Sequence, residues 1–271
     1  MVKQIETIAE FSWCHMGDMN LAAQMIVAAK DAGADYAKFQ TWKVSRLIPG
    51  PWDTDGRRQI YEKAELSDED HYYLKSVCDD TGIKFLTSCF CADDLDFVRT
   101  LTNEVKIPSP EASNKALIQG AVDKFDRVLL STGASTPEEF IQWEDNDNIF
   151  FMHCISSYPC EPENFHMQKL NFIKHCQQNL VKPYGFSGHY PGIWDAILAI
   201  TQGATIIEKH LTIDHDLPGR DNKFALLPEE FSQITNFISY FEITKEGFVS
   251  VAKILPCEED YRKYHKGRWG G

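Results

Sequence analysis

The sequence contains no run of apolar residues that could span a membrane, since a transmembrane helix needs roughly 20 of them in succession. Its N-terminus, MVKQIETIAEF, also lacks the apolar core of a secretory signal. Basic residues are scarce: 27 Lys and Arg stand against 40 Asp and Glu, a formal net charge of −13. An acidic chain with no evident basic face is a poor ligand for nucleic acid or for an anionic membrane. These absences predict a cytoplasmic protein in which an anionic substrate would require a local pocket of Lys or Arg.

The eight cysteines contain no C-x-x-C pair. Cys89 and Cys91 form a C-x-C, and the other six are scattered. In a reducing compartment this spacing favours free, mostly buried thiols over a disulfide framework or a zinc site. A G-x-G-x-x-G turn after the first apolar run, which would indicate an open dinucleotide-binding sheet, is also missing.

What the sequence does contain is a strict alternation of short apolar runs with amphipathic stretches. Eight runs predict strands: QIETIAEFS, ADYAKFQTW, IKFLTSCF, NEVKIPSP, RVLLSTG, IFFMHCIS, KPYGFSGH and TIIEKHL. Eight such units within about 250 residues indicate a closed (β/α)8 TIM barrel, an α/β fold, with an open doubly wound sheet as the alternative. Residues 1–245 are assigned to the barrel and residues 246–271 to a short C-terminal tail.

Several boundaries between these units carry local signals. Ser67 begins one predicted helix and Gly82 ends it, while TPEEFIQWE begins with a capping box of Thr136 and Glu139 around Pro137. ENFHMQKLNFIKHCQQN predicts a long helix over residues 163–179. The connection over residues 43–66 is rich in Pro, Gly and charge, so it is predicted to be irregular and to act either as a lid or as a surface insertion.

The carboxyl ends of the predicted strands are strongly polar, and barrel enzymes keep their chemistry at that mouth. Because residues two apart share a face of a strand, three pairs are predicted to point inward: Lys38 with Gln40, Ser187 with His189, and Glu208 with His210. Phe39 and Lys209 are predicted to face the helices. A single Ser, Thr or His at such a position is more often a helix cap or a packing residue. The convergence of several charges at one rim, however, favours a site, because buried charges need partners.

The kinds of side chain indicate the chemistry of this rim. Two lysines with nearby hydroxyls predict a pocket for phosphate or carboxylate. His189 and His210 lie on neighbouring strands and could share a divalent metal completed by water, which would polarise a carbonyl oxygen. A nearby glutamate could move protons.

These residues lie in sequence blocks that resemble the sialic acid synthase (N-acetylneuraminate synthase) family. The blocks follow the family's order: IAEFSWCHMGD, AGADYAKFQT, LTSCF, KIPSPEASN, LLSTGAST, HCISSYP, GFSGHYPG, GATIIEKHLT and LPGRDNKFALLPEEF. The resemblance runs from Ile8 to Phe231. It implies a transferase that condenses phosphoenolpyruvate with an N-acyl, mannosamine-like amino sugar to give a nonulosonic acid and phosphate.

The resemblance also implies roles for individual residues. The positions that match phosphoenolpyruvate binding are Lys38, Ser88, Lys106, Ser109, Ser131, Ser156 and Ser187. The positions that match the surroundings of the acceptor sugar are Glu10, Gln40, Tyr158 and Asp221. His189 and His210 match the ligands of a divalent metal, manganese in the first instance, with magnesium or cobalt as alternatives. Glu111 matches an acidic residue near the reacting carbons, and with Glu10 and Lys106 it makes up the predicted catalytic set.

The sequence departs from the family pattern in several places. Gly188 stands where an Asp is usual, Pro108 and Pro110 replace two glycines, SCF stands for T-P-F, and Cys14 replaces an Asn. Family enzymes usually continue into an antifreeze-like C-terminal domain that supplies an arginine to the partner in a homodimer. Here YRKYHKGRWGG ends the sequence. Three expectations follow: a separate antifreeze-like protein, a different acceptor, or substitution by the basic tail residues Arg262, Lys263, Lys266 and Arg268.

Two other functions are compatible with the residues. A Schiff-base aldolase or lyase on the same barrel would use Lys106 or Lys38 to form an imine. A non-catalytic barrel that binds a sugar or a partner chain is the other alternative.

Overall fold

The computed structural model describes residues 4–176, 182–246 and 253–269. Eight parallel strands close in sequence order into a barrel, with the first strand paired to the eighth. The strands are β1 Glu6–Glu10, β2 Tyr36–Thr41, β3 Lys84–Cys89, β4 Glu104–Ile107, β5 Arg127–Ser131, β6 Ile149–Cys154, β7 Gly185–Gly188 and β8 Ile206–His210. Each lies within one of the eight predicted runs, so the predicted TIM barrel is confirmed.

Helices and short turns connect the strands. The helices are α1 Met19–Asp31, α2 Arg57–Ala64, α3 Asp68–Thr81, α4 Leu95–Leu101, α5 Lys115–Lys124, α6 Pro137–Phe140, α7 Gln168–Cys176, α8 Trp194–Thr201, α9 Pro228–Glu246 and α10 Glu259–Tyr264. Ser67 accepts a hydrogen bond from the Asp70 amide at the start of α3, and Gly82 ends that helix in the left-handed conformation, as predicted. None of the helices in the described ranges is long and apolar enough to cross a bilayer.

Three predicted segments differ from the structure. The capping box of Thr136 and Glu139 is present, but α6 has a single turn and is followed by a 3-10 turn. That turn suits the buried Phe140 and Trp143, which are three residues apart and both reach the core. Helix α7 begins later than predicted because His166 has a φ of 45°, which a right-handed helix does not admit. The last three residues of that prediction, 177–179, lie outside the described part of the chain.

The connection over residues 43–66 was predicted to be irregular, and this prediction is wrong for residues 57–64. They form α2, and the 3-10 turns Val44–Arg46 and Pro51–Asp53 precede it. The sequence RRQIYEKA shows too short an apolar face to stand out, since only Ile60, Tyr61 and Ala64 are apolar. In the tail, all residues of the range 253–269 are exposed, including α10, while 247–252 and 270–271 are not described.

The barrel interior has three layers. At the N-terminal end, a polar network joins the first residues of five consecutive strands: Glu6, Tyr36, Lys84, Glu104 and Arg127. Above it lies an apolar layer that includes Ile8, Leu86, Leu129, Met152 and Ile206. The third layer, at the carboxyl ends, is polar. A larger apolar core lies between the strands and the helices, and all eight cysteines are free thiols.

Candidate active site

Four charged side chains are buried together at the carboxyl ends of β1, β2, β4 and β8. Lys38 Nζ lies 2.5 Å from Glu10 Oε2 and 3.7 Å from Glu208 Oε2. Lys106 Nζ lies 2.5 Å from Glu208 Oε1. None of the four is more than 4% exposed. Because burying an unpaired charge is costly, these two ammonium groups and two carboxylates stabilise one another in the absence of a ligand.

The two carboxylates of this cluster hold their protons differently. Burial opposes ionisation of Glu208, but the charges of Lys106 and Lys38 outweigh it and lower the pKa of Glu208 to about 2. Burial raises the pKa of Glu10 above its usual range; Lys38 opposes this, and the Glu208 charge reinforces it. Glu10 is therefore the carboxylate of the cluster that takes up a proton more readily, a property that suits acid–base chemistry.

Hydroxyl groups line the same cluster. Lys38 Nζ donates to Ser88 Oγ at 2.8 Å, and Lys106 Nζ lies 3.4 Å from Ser187 Oγ. Ser187 in turn donates to Glu208 Oε1 at 2.9 Å. Ser131 Oγ is buried and has no hydrogen-bond partner among the described residues. Ammonium groups beside hydroxyls are donors that suit a phosphate or a carboxylate, and the anion pocket itself stays a prediction.

The other two predicted serines meet nearby, beyond the ends of β4 and β6. Ser109 Oγ lies 2.9 Å from Ser156 Oγ. The chain after β5 approaches both, since a Cβ built on Gly133 would lie 2.4 Å from Ser156 Oγ and 3.1 Å from Ser109 Cβ. Glu111 lies in the 3-10 turn Ser109–Glu111, half-buried, and accepts a hydrogen bond from Asn114 at 2.8 Å. That contact stays within its own loop, so the catalytic role of Glu111 stays a prediction.

The two histidines predicted to bind a metal face each other at the ends of β7 and β8, with ring centroids 5.5 Å apart. His189 Nδ1 lies 2.6 Å from the Ile155 carbonyl, to which it must donate, and this leaves Nε2 unprotonated in the neutral ring. His210 Nδ1 is buried without a hydrogen-bond partner, 3.5 Å from Asp221 Oδ2. Burial lowers the pKa of His189 to about 3 and that of His210 well below its usual value. Both rings are therefore neutral, which is the form that binds metal ions.

The donor set fits a loosely held divalent ion. Over the described ranges, no group of three or more His, Cys, Asp or Glu side chains is placed to hold a metal. Two imidazoles would thus supply only part of a coordination shell, and water or substrate oxygens would have to complete it. An orienting hydrogen bond from His189 to a backbone carbonyl is a common feature of metal-binding histidines.

The residues predicted to surround the sugar lie on two sides of the mouth. Gln40 Nε2 donates to Glu10 Oε1 at 2.7 Å and lies 3.2 Å from Ser12 Oγ. The Ser12 hydroxyl also hydrogen-bonds to Asp221. On the far side, the Tyr158 ring lies 4.1 Å from the His189 ring and is 47% exposed. Glu10, Gln40, Tyr158 and Asp221 are therefore all brought to one rim, although nothing in their geometry identifies a sugar.

Some residues of the rim were not predicted as site residues. Glu208 was predicted only to point inward, yet it joins both lysines and Ser187. Ser12, which contacts Gln40, was missed, although it lies two residues beyond Glu10, which was the available signal. Phe39 and Lys209 face the helices, as predicted.

Comparison with known proteins gives a consistent result. The sequence matches the NeuB family over residues 25–247. It is 31% identical to N,N'-diacetyllegionaminic acid synthase of Legionella pneumophila, covering 85% of this chain and 70% of that protein. It is 28% identical to pseudaminic acid synthase of Campylobacter jejuni, covering 89% and 74%. The crystal structure of N-acetylneuraminic acid synthetase from Leptospira borgpetersenii matches with a TM-score of 0.82 and 26% identity, covering 96% of this chain and 92% of that one.

Proposed function

The chain belongs to the NeuB family, and from that premise we propose that it condenses phosphoenolpyruvate with an N-acyl, mannosamine-like amino sugar to give a nonulosonic acid and phosphate. The named relatives are synthases of legionaminic and pseudaminic acids. The sugar acceptor is the finer part of the proposal, because these relatives make different acids.

The observation that carries the proposal is the surroundings of Lys38 and Lys106. Each ammonium group has a serine hydroxyl on one side and a carboxylate on the other. Phosphoenolpyruvate carries a phosphate and a carboxylate, so two lysines with adjacent hydroxyls match its two anionic groups. Glu10 lies against Lys38 and Glu208 against Lys106, so each buried ammonium group has a carboxylate partner before the substrate binds.

In the proposed reaction, C3 of phosphoenolpyruvate attacks the aldehyde carbon of the open-chain sugar, and the aldehyde oxygen takes up a proton. Water then adds at C2 and gives up a proton. The bond between C2 and the phosphate oxygen breaks as the new C2 hydroxyl passes its proton to the departing phosphate, so that inorganic phosphate leaves and C2 becomes a ketone. Glu10 and Glu111 are the carboxylates that we assign to proton movement, with Lys106 stabilising negative charge near the phosphate.

We assign a divalent cation, manganese with magnesium or cobalt as alternatives, to His189 and His210. When bound, such an ion would polarise the aldehyde oxygen of the sugar. The chain's own contribution is to bury both imidazoles so that they stay neutral, and to orient His189 through the Ile155 carbonyl.

The test is phosphate release by the purified protein given phosphoenolpyruvate, Mn²⁺ and a panel of N-acyl amino sugars. Lys38→Met should lower kcat/KM by roughly 100-fold, because a buried group that stabilises anionic charge is removed. Lys84→Met is the matched control, since Lys84 belongs to the network at the opposite end of the same barrel and should retain turnover. No phosphate release across the panel, together with no phosphoenolpyruvate binding by calorimetry, would exclude the proposal.

A Schiff-base aldolase is the second candidate, and one observation favours it. Burial lowers the pKa of Lys106, although Glu208 opposes this, and a neutral amine is the nucleophile in imine formation. Borohydride reduction in the presence of pyruvate would trap such an imine as a mass increase on Lys106. We expect no adduct, because Lys106 is ion-paired with Glu208.

A further inference from the structure

A buried ion pair joins β8 to α8 on the outer face of the barrel, away from the cluster at the mouth. Lys209 Nζ lies 2.9 Å from Oδ1 and 2.8 Å from Oδ2 of Asp195. It also donates to the Tyr190 carbonyl at 2.7 Å. Both charged side chains are 1% exposed. Because neither charge reaches solvent, removing one partner would leave the other buried and uncompensated.

This ion pair acts on the backbone beside both histidines of the mouth. Lys209 directly precedes His210, and Tyr190 directly follows His189. Tyr190 is held at both of its backbone groups, since its carbonyl accepts from Lys209 and its amide lies 3.4 Å from Asp195 Oδ2. The pair therefore fixes the chain on one side of each histidine.

Gly188, the last residue of β7, leaves room for the carboxylate. A Cβ built on Gly188 would lie 2.2 Å from Asp195 Oδ2 and 3.0 Å from Asp195 Cγ. The backbone of Gly188 is not in the left-handed region, so glycine is required there for space and not for conformation. Asp195 thus occupies the volume that a side chain on residue 188 would fill.

We propose that Asp195 is a positioning residue for His189 and His210. Its carboxylate extends from α8 over Gly188 and is the counter-ion that fixes Lys209 and Tyr190. A carboxylate on residue 188 would serve the same purpose in a chain that lacked Asp195. The link to metal binding rests on the proposed function. The exchange, by which a carboxylate on residue 188 replaces that of Asp195, concerns only the stability of the fold.

Four proteins test the exchange: the wild type, Asp195→Ala, Gly188→Asp, and the double variant. Asp195→Ala should bind Mn²⁺ roughly 10- to 100-fold more weakly by calorimetry with the metal alone, the usual effect of losing a group that orients metal ligands. Gly188→Asp should also bind Mn²⁺ more weakly and unfold at lower urea concentration, because two carboxylates crowd one space. The double variant should recover most of the lost Mn²⁺ affinity and should unfold at a urea concentration close to that of the wild type. As a matched control, Asp79→Ala breaks the exposed Lys75–Asp79 pair of α3 and should change neither property.

Each contrary outcome has a defined meaning. A double variant whose losses equal the sum of the two single losses would overturn the exchange. Should Asp195→Ala fail to fold, a folded double variant supports the exchange and an unfolded one overturns it. A lower urea midpoint in Asp195→Ala with unchanged Mn²⁺ affinity, kcat and KM would overturn the positioning role. Absence of both phosphate release and phosphoenolpyruvate binding in the wild type would exclude the proposed function alone, because the unfolding midpoints still decide the exchange.

Discussion

Ser131 and Thr132 are neighbouring hydroxyl residues at the end of β5 with opposite surroundings. Thr132 Oγ1 donates to the Met152 carbonyl at 3.2 Å, whereas Ser131 Oγ is buried and lacks a partner in the described chain. A buried polar group without a partner costs about 1–3 kcal/mol of stability. Because alternation points Ser131 toward Lys38 and Lys106, this cost is consistent with a hydroxyl that binds a ligand.

Replacing Ser131 should therefore separate stability from binding. Ser131→Ala should raise the free energy of unfolding by about 1 kcal/mol, since an unsatisfied group is removed, and should weaken phosphoenolpyruvate binding. Thr132→Val should lower the free energy of unfolding by about 1 kcal/mol and leave the affinity unchanged. Urea unfolding and calorimetry measure the two quantities. A less stable Ser131→Ala protein would show that the hydroxyl has a partner within the fold.

At the scale of elements, the connection between β2 and α3 is part of the wall of the mouth. The Tyr61 ring of α2 lies 4.9 Å from Trp13 and 6.0 Å from Trp42. Trp42 Nε1 in turn donates to Gln40 Oε1 at 3.2 Å. Gly17 packs beneath α2, since a Cβ there would lie 2.2 Å from the carbonyl oxygen of Lys63. A segment predicted to be irregular is thus connected through aromatic contacts to a residue of the proposed sugar site.

Tyr61→Ala tests whether this connection serves the site or is only an insertion. Loss of two ring contacts should raise KM for the sugar by roughly 2- to 10-fold and speed proteolysis within residues 43–66. Ile48→Ala, in the same segment but with a 71% exposed side chain, is the matched control and should change neither. Faster proteolysis with an unchanged KM would identify the connection as a surface insertion.

At the scale of the whole molecule, the barrel carries charge at both ends and apolar residues between them. The network of Glu6, Glu104 and Arg127 closes the N-terminal end. The charges at the other end remain grouped around hydroxyls and histidines. This division agrees with the general behaviour of TIM barrels, in which the N-terminal face contributes stability and the C-terminal face contributes chemistry.

Among the buried histidines outside the proposed metal pair, His15 and His153 predict a loss of stability in acid. Burial lowers the pKa of His15 and of His153 from 6.5 to about 4. The unfolded chain therefore takes up these protons at a higher pH than the folded protein does. The stability that comes from keeping these two rings neutral is fully present above about pH 6.5. It is lost as the pH falls toward 4, by at most about 3 kcal/mol for each residue.

His153→Gln should accordingly show a weaker pH dependence of stability than the wild type below pH 6.5, because Gln does not titrate. The exposed His175 is the control, and His175→Gln should keep the wild-type profile. Urea unfolding midpoints measured from neutral to mildly acidic pH provide the comparison. If the unfolding midpoints of His153→Gln and the wild type fall by the same amount below pH 6.5, the contribution of His153 to acid sensitivity is contradicted.

The sequence by itself determined the barrel and the composition of its mouth. Strand runs and helix stops are local patterns, so β1 to β8, the Ser67 cap and the Gly82 stop were all predictable. The period of two placed Lys38 inward and Lys209 outward for the same reason. Helices α2, α6 and α7 were predicted less well, because short apolar faces and the φ of His166 leave weak signals in sequence.

Only the tertiary structure decided which charges meet. Lys106 and Glu208 are 102 residues apart, and the sequence offers no reason for Lys106 to pair with Glu208 instead of Glu10. Asp195 likewise looked like an ordinary helix residue until closure of the barrel placed it over Gly188 and against Lys209. The physical reason is range: periodicity and capping act over a few consecutive residues, whereas ion pairs depend on distances of a few ångströms between strands that register and barrel closure bring together.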